Sequence, residues 1–343
     1  MVLAGPLWHA HEMLFGYAFA VITGFLFTAV RNWANQPTPS GTLLVLIAAL
    51  WLSGRILVLT PWPLLAAAAD TVFALAVAVG IALPLVRSHN QRNYVFVVLV
   101  IALGAVNLGF YLAMAGWIQF AVERGMRIGL DIVLFLMVVI AGRVIPLFTA
   151  NAISSAQLRR YRWLERLSLA SVLVLLAADL LVLPALVTQL AAGIAALAHG
   201  ARLAFWKSWI TLKRPILWIL HISYAWIVAY LALRALAALD LIPVSLAIHA
   251  LTVGGIGGLT VGMMTRTARG HTGRVLKAGN LEVGCYVLIQ LAAVIRVFMP
   301  LLLPHWYARL VIASGMLWSA AFILLVAALA PMLLKPRIDG CTA

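Results

Sequence analysis

Long, uninterrupted apolar runs alternate along the chain with short polar gaps. Each run is about 20 residues long, which is the length that a helix needs to cross a hydrocarbon core of roughly 30 Å. The runs do not alternate with period two, so the strands of a membrane barrel are not indicated. The pattern therefore predicts about eleven transmembrane helices, and their ranges are Met13–Val30, Thr42–Leu59, Leu64–Val86, Tyr94–Trp117, Ile128–Phe148, Trp163–Leu183, Ala185–Trp206, Ile216–Leu239, Val244–Met264, Leu281–Leu303 and Tyr307–Leu334.

Composition agrees with this pattern. Of the 343 residues, 65% are hydrophobic and 10% are charged, whereas a soluble domain has about 45–50% apolar and about 25% charged residues. Since so few charges cannot cover a soluble surface, a soluble enzyme, a disordered chain and a disulfide-built secreted domain are excluded. We predict an all-α, polytopic transmembrane helix bundle in the lipid bilayer, formed as a single domain by residues 1–343.

The charge is strongly basic, with 24 Lys and Arg against 9 Asp and Glu. The basic residues concentrate in every second gap, which is typical of charges that set membrane topology, so nucleic acid is not indicated as a partner. The positive-inside rule places these gaps, and with them the C-terminus, in the cytoplasm. The gaps contain Arg31; Arg87 and Arg92; Arg159, Arg160, Arg162 and Arg166; Arg202, Lys207, Lys213 and Arg214; Arg266, Arg269, Arg274 and Lys277; and Lys335 and Arg337.

With eleven helices and a cytoplasmic C-terminus, the segment Met1–Ala10 faces outward. It lacks a basic n-region, so no signal peptide is indicated. We therefore expect that a further helix precedes Met1 in the intact protein. The alternative is a short, uncharged N-terminus that lies outside.

Motifs for familiar catalytic chemistry are absent from the sequence. Cys285 and Cys341 are too far apart to indicate a disulfide framework. There is no nucleophile elbow, Walker motif, dinucleotide-binding glycine motif or Cys-x-x-Cys pair. Any haem would be bound non-covalently because Cys-x-x-Cys-His is also absent. Whether the protein is an enzyme is left open.

Ionisable side chains within membrane spans are costly and are functional candidates. Arg143 is prominent because it lies beside a proline near a helix end, in Gly142–Pro146. It can pair with an anionic group, such as a haem propionate or a substrate. Equally, it can reach the membrane surface or pair with a buried aspartate. The other candidates are Arg55, Arg296, Asp70, Asp131, Asp179 and Asn107, of which Arg55 and Asp70 lie nearer to span ends and are interpreted as structural.

Histidine gives the main chemical signal, because imidazole is the commonest metal ligand and an axial ligand of haem. His9, His11 and His249 are predicted at the outer side of the membrane, and His199 and His221 at the inner side. Each of these two layers is predicted to hold a haem or a metal ion. The competing interpretation of any single histidine is an interhelical hydrogen bond.

A stripe of small residues accompanies His249. Gly254, Gly258 and Gly262 recur every four residues, a spacing that permits close helix packing. At about 100° per residue, His249 lies on the opposite side of an α-helix from this stripe. One face is therefore predicted to pack against another helix, and the other to present the imidazole to a cavity.

Four motifs resemble those of the NnrS family, in the family's order and over most of the chain. They are His-Ala-His-Glu-Met with Leu-Phe-Gly at His9–Gly16, Gly-Arg-Val-Ile-Pro at Gly142–Pro146, Pro-Ile-Leu-Trp-Ile-Leu-His with Tyr-Ala-Trp at Pro215–Trp226, and the run from His249 through Gly-Met-Met-Thr-Arg to Gly-His-Thr-Gly-Arg at Gly270–Arg274. The first and last are specific in combination. The resemblance implies about twelve spans, so we expect the family's first span to precede the eleven predicted here.

The resemblance implies a bacterial inner-membrane protein that contains haem and copper. It also implies a role in the nitric oxide response, often alongside denitrification, and in resistance to nitrosative stress. We assign His9, His11, His199, His221, His249 and Arg143 to cofactor binding, and His9, His11 and His249 to metal binding in particular. Glu12, His271 and Arg274 are further motif residues.

Two other classes of function remain open. A polytopic transporter would use Arg143 and the membrane aspartates as a substrate or proton path. A membrane assembly subunit would carry structural histidines and tolerate their loss. The two-layer histidines favour the haem and copper protein, because a transporter needs no such layers. The resemblance implies nitric oxide or nitrosyl-derived species as the small-molecule partner, and protein partners are unknown.

Overall fold

The computed structural model describes residues 5–338 of the chain, and this part is built from helices without a strand. Among these described residues, nine helices are long and apolar enough to cross a membrane: α1 (Gly5–Ala34), α3 (Pro63–Arg87), α4 (Gln91–Met114), α5 (Val122–Ala152), α7 (Ala185–Phe205), α8 (Pro215–Ala237), α9 (Val244–His271), α10 (Asn280–Leu302) and α11 (Pro304–Leu333). The predicted all-α, polytopic membrane architecture is confirmed.

Two of the eleven predicted spans do not meet the length and composition of the other nine. The predicted span 42–59 is the 17-residue helix α2 (Gly41–Leu57). The predicted span 163–183 is α6 (Arg162–Leu181), which is 20 residues long. Its first turn carries Glu165 between Arg162 and Arg166, and these charges dilute its apolar character.

Helix α1 begins earlier than the apolar pattern predicts, at Gly5 and not at Met13. His9 and His11 therefore lie within the helix and not before its first residue. Apolarity alone could not reveal this part of the helix, because the buried His11 is accommodated by Asn107 of another helix. The helix changes to π-helical geometry over Glu12–Ala18, immediately after His11.

The described residues cluster into two compact units. Unit 1 contains residues 5–137 and Asp179–Leu181, and in it α3 packs against α1, α2 and α4. Unit 2 contains Val138–Ala178 and residues 182–338. There, α8 packs against α7 and α9, while α10 packs against α9 and α11. The organisation of the whole chain as one domain stays a prediction.

The predicted packing role of the glycine stripe on α9 is confirmed. A Cβ atom on Gly254 would overlap the indole ring of Trp226, and one on Gly258 would overlap Ser223 Oγ. A Cβ on Gly262 would lie 2.8 Å from the Leu220 side chain. All three neighbours belong to α8, so the absence of side chains on the stripe lets the two helices approach closely.

The expected position of His249 relative to this stripe needs a correction. Residues Ala250–Gly257 are π-helical, with His249 as the residue that precedes them. The i→i+5 hydrogen bonds of a π-helix wind the chain by a smaller angle per residue than an α-helix does. The α-helical rotation of about 100° per residue therefore does not give the angle between His249 and Gly258 or Gly262 around the helix axis.

We expect Gly254→Ala to lower the free energy of unfolding by about 1–3 kcal/mol, because the new methyl group must displace the Trp226 ring. Gly193→Ala is a matched control in α7, since a Cβ there meets no atom within 4 Å. The control should be neutral or stabilising by up to about 1 kcal/mol. Thermal unfolding of the purified protein in detergent measures both changes. Equal effects of the two substitutions would contradict the close packing.

Candidate functional site

Five polar side chains close a ring of hydrogen bonds inside unit 1. Arg55 donates from Nη1 to Glu12 Oε1 at 2.6 Å and from Nη2 to Asp70 Oδ1 at 2.5 Å. Asn107 Nδ2 donates to Asp70 Oδ2 at 3.1 Å. His11 completes the ring, with Nε2 at 2.9 Å from Asn107 Oδ1 and Nδ1 at 2.9 Å from Glu12 Oε1. This polar ring joins four helices, α1 to α4.

Small residues and an extra donor support the polar ring. Tyr111 donates its hydroxyl proton to Asp70 Oδ2 at 3.0 Å. A Cβ on Gly54 would overlap Asp70 Oδ1, and one on Gly16 would come within 2.7 Å of Arg55 Nη1. Glycine at both positions therefore makes room for the charged groups. The interpretation of Arg55 and Asp70 as structural agrees with their ion pair.

The polar ring engages both nitrogens of His11. Because Asn107 donates its Nδ2 proton to Asp70, its Oδ1 is the atom that faces His11, so His11 Nε2 is an N–H donor. The other nitrogen, Nδ1, faces the Glu12 carboxylate. The His11 ring is fully buried beside Phe15 and Phe110. In this arrangement His11 has no nitrogen available to a metal ion, whereas His9 is exposed on α1.

A second polar group lies in unit 2 and runs through α6, α7 and α8. Glu165 accepts from Arg202 Nε at 3.0 Å and from Nη2 at 2.5 Å. Arg202 Nη1 donates to Tyr224 Oη at 3.0 Å. Tyr224 Oη lies 2.5 Å from His199 Nδ1, and His199 Nε2 donates to the Ser168 carbonyl at 3.1 Å. Both nitrogens of His199 are thus engaged.

His221 is held in unit 2 by two hydroxyl groups. Thr149 Oγ1 lies 2.9 Å from His221 Nε2, and Ser208 Oγ lies 3.0 Å from Nδ1. Each hydroxyl also lies within hydrogen-bond distance of a backbone carbonyl, that of Ile145 for Thr149 and that of Leu203 for Ser208. The buried ring of Trp206 packs edge-on against His221 and lies 4.7 Å from the Tyr224 ring.

These contacts test whether His199 and His221 fit a haem. An axial ligand must direct a nitrogen lone pair at the iron. Here all four ring nitrogens are in hydrogen bonds, and Trp206 and Tyr224 lie between the two imidazoles. The pair, as it is arranged, does not fit axial ligation by both histidines.

Both ring nitrogens of His249 are also in hydrogen bonds, but the partner of Nε2 is the long side chain of Arg296, and the histidine would fit a metal ligand once that side chain leaves. Its Nδ1 donates to the Ser245 carbonyl at 2.6 Å, so the proton is on Nδ1 and the lone pair is on Nε2. Metal-ligating histidines commonly donate their other ring proton to a carbonyl in this way. Arg296 Nη2 donates to Nε2 at 3.2 Å, and its guanidinium also lies 5.6 Å from the Tyr307 ring.

His11 and His249 share one local feature. Each immediately precedes a π-helical segment, Glu12–Ala18 in unit 1 and Ala250–Gly257 in unit 2. Each segment has a glycine five residues after the histidine, Gly16 and Gly254, with a tryptophan against it. Short π-helical segments inside α-helices occur frequently at functional sites.

Within residues 5–338, no three or more His, Cys, Asp or Glu side chains form a group that could hold a metal ion. His9 and His11 belong to unit 1 and His249 to unit 2. The common outer layer of these three histidines therefore stays a prediction. The same holds for the side of the membrane that each histidine occupies.

The remaining motif residues and the two cysteines lie at the following places in the structure. Arg143 is half-buried in α5, and His271 is exposed at the end of α9. Arg274 donates to the carbonyls of Thr272 and Met332. Cys285 is a buried free thiol, whereas Cys341 and the C-terminus lie outside the described residues.

Arg202, an arginine that the sequence analysis groups with the basic gaps, is buried inside a helix. Arg202 was counted among the basic gap residues, but it lies in α7 and only 2% of its side chain is exposed. The pairing with Glu165 makes this burial possible. An acidic residue among the arginines at the start of α6 is the one sequence signal that could have indicated the pair.

The comparisons with known proteins agree with the motifs. The family model described as NnrS protein matches residues 2–337. No curated protein and no solved structure matches the chain. Since the family match covers nearly the whole sequence, this polytopic membrane protein belongs to the NnrS family.

Proposed function

We propose that this chain is a haem- and copper-containing protein of the bacterial inner membrane, with a cytoplasmic C-terminus. It acts in nitric oxide metabolism or in protection against nitrosative stress. Membership of the NnrS family supports a membrane protein related to the nitric oxide response. The metal centres and the nitric oxide chemistry are our proposal.

The observation that carries the proposal is the environment of His249. Its Nδ1–H group is fixed by the Ser245 carbonyl, which orients the ring and leaves the Nε2 lone pair as the metal donor. Arg296 must leave Nε2 when a metal binds, and the Tyr307 ring offers the guanidinium a second partner.

His249 would then hold the metal through Nε2. A metal held there with an open coordination position supplies a binding place for nitric oxide. The protein orients the imidazole, through the Ser245 carbonyl and the close packing of α9 on α8. The surrounding apolar helices admit a small uncharged gas and exclude water.

Metal analysis of the purified full chain tests this proposal. Iron and copper are measured after expression in a haem- and copper-replete host, together with the visible spectrum before and after anaerobic addition of nitric oxide. We expect His249→Ala to lower one bound metal about tenfold or more and to remove the spectral response to nitric oxide. His305→Ala is the matched control, because His305 is exposed, and it should change neither.

Two outcomes would contradict the proposal. Wild-type protein without iron or copper would favour the transporter or assembly-subunit alternatives. Metal that is retained in His249→Ala would remove His249 from the ligand set. The same measurement on His9→Ala and His11→Ala tests the predicted outer group of histidines.

A further inference from the structure

Tyr224 and His199 form an isolated, buried pair in unit 2 that the proposed metal chemistry does not use. Both side chains are fully buried, and Tyr224 Oη lies 2.5 Å from His199 Nδ1. Tyr224 belongs to the Tyr-Ala-Trp part of the motif at Pro215–Trp226. A phenol and an imidazole in so short a contact can exchange a proton.

The hydrogen-bond partners determine the direction of this contact. The Ser168 carbonyl can only accept, so His199 carries its proton on Nε2 and presents a lone pair at Nδ1. Tyr224 Oη already accepts a proton from Arg202, and its own proton has His199 Nδ1 as the acceptor. The phenol is therefore the donor and the imidazole is the base.

The charge of Arg202 would oppose any further positive charge on this pair. Glu165 offsets it through two hydrogen bonds, from Nε at 3.0 Å and from Nη2 at 2.5 Å. At Tyr224 the Glu165 carboxylate partly offsets the Arg202 charge. The Arg202 charge still disfavours a proton on His199, so the transfer depends on the strong acidity of the oxidised phenol across the 2.5 Å contact.

We propose that Tyr224 and His199 are a redox-active pair that reduces one-electron oxidants; the choice of the nitrogen oxide class, such as the nitrogen dioxide radical, rests on the proposed function. Tyr224 loses one electron, its Oη–H bond breaks, and a new N–H bond forms at His199 Nδ1. The oxidant gains the electron and becomes nitrite. The products are a neutral phenoxyl radical and an imidazolium cation.

Trp206 is an aromatic neighbour that can take part in electron transfer. Its ring is fully buried and its centroid lies 4.7 Å from that of Tyr224. The Arg202 guanidinium carbon lies 5.1 Å from the Trp206 ring centroid. An electron from Tyr224 can therefore pass through an adjacent aromatic ring.

Electron paramagnetic resonance after rapid anaerobic mixing with dissolved nitrogen dioxide gas tests the pair in the purified full chain. We expect a tyrosyl radical that Tyr224→Phe abolishes. Tyr286→Phe is the matched control: Tyr286 is equally buried but its hydroxyl has no hydrogen-bonded base, so the radical should persist. His199→Gln should lower the radical yield about tenfold, corresponding to ~1.4 kcal/mol of lost driving force.

A solvent isotope effect tests the pair in the wild-type protein, without any variant that could fold poorly. In the wild-type protein, radical formation should be slower in heavy water than in ordinary water, because a proton moves with the electron. A radical that survives in Tyr224→Phe, or a rate without a solvent isotope effect, would overturn the proposal. The pair does not depend on bound metal, so the metal analysis and this experiment can fail independently.

Discussion

Asp70→Ala is expected to destabilise the protein by about 3–5 kcal/mol, the cost of removing one partner from a buried ion pair. Asp70 is 4% exposed and accepts hydrogen bonds from Arg55, Asn107 and Tyr111. Without it, the amide and the phenol lose their acceptor. Arg55 keeps Glu12 as its only other partner in the polar ring. Thermal unfolding in detergent measures the loss.

Two comparisons separate this effect from the general effect of losing an acidic residue. Glu123→Ala removes an exposed carboxylate from the first turn of α5, and its cost should not exceed about 1 kcal/mol. The double variant Arg55→Ala/Asp70→Ala should be less destabilised than the sum of the single variants, because neither member of the Arg55–Asp70 ion pair is then left without the other. Strict additivity would contradict a coupled ring.

The helices could be predicted from the sequence because bilayer thickness fixes the length of an apolar run. Their local geometry could not. Nothing in the residue types of Glu12–Ala18 and Ala250–Gly257 distinguishes π-helical from α-helical geometry, although the second segment contains three glycines. The sequence identified both histidines that precede these segments, but not the segments themselves.

The hydrogen-bond partners of the candidate residues could not be predicted from the sequence either. His11 meets Asn107, which lies 96 residues away, and Arg202 meets Glu165, which lies 37 residues away. The positive-inside rule counts basic residues near the ends of spans, so Arg202 was grouped with the arginines that set membrane topology. Only the packing of α6, α7 and α8 shows that this cation is neutralised inside unit 2.

Glu165→Ala should likewise cost about 3–5 kcal/mol, because it leaves the Arg202 guanidinium, 2% exposed, without its counter-ion. The protein can relieve this charge only by admitting water or by moving α7, and either response disturbs Tyr224. The thermal unfolding midpoint should therefore fall. The yield of the Tyr224 radical should fall with it, because an unneutralised cation opposes proton transfer to His199.

Arg160→Ala provides the matched control on the same carboxylate. Arg160 lies 3.6 Å from Glu165 Oε2, but its side chain is 48% exposed, so its loss should cost only about 0–1 kcal/mol. If Arg160→Ala lowered the unfolding midpoint as much as Glu165→Ala, the exposed Arg160–Glu165 pair would stabilise the protein and the buried Arg202–Glu165 pair would not. If Glu165→Ala lowered the unfolding midpoint and left the radical yield unchanged, Glu165 would stabilise the fold without tuning Tyr224.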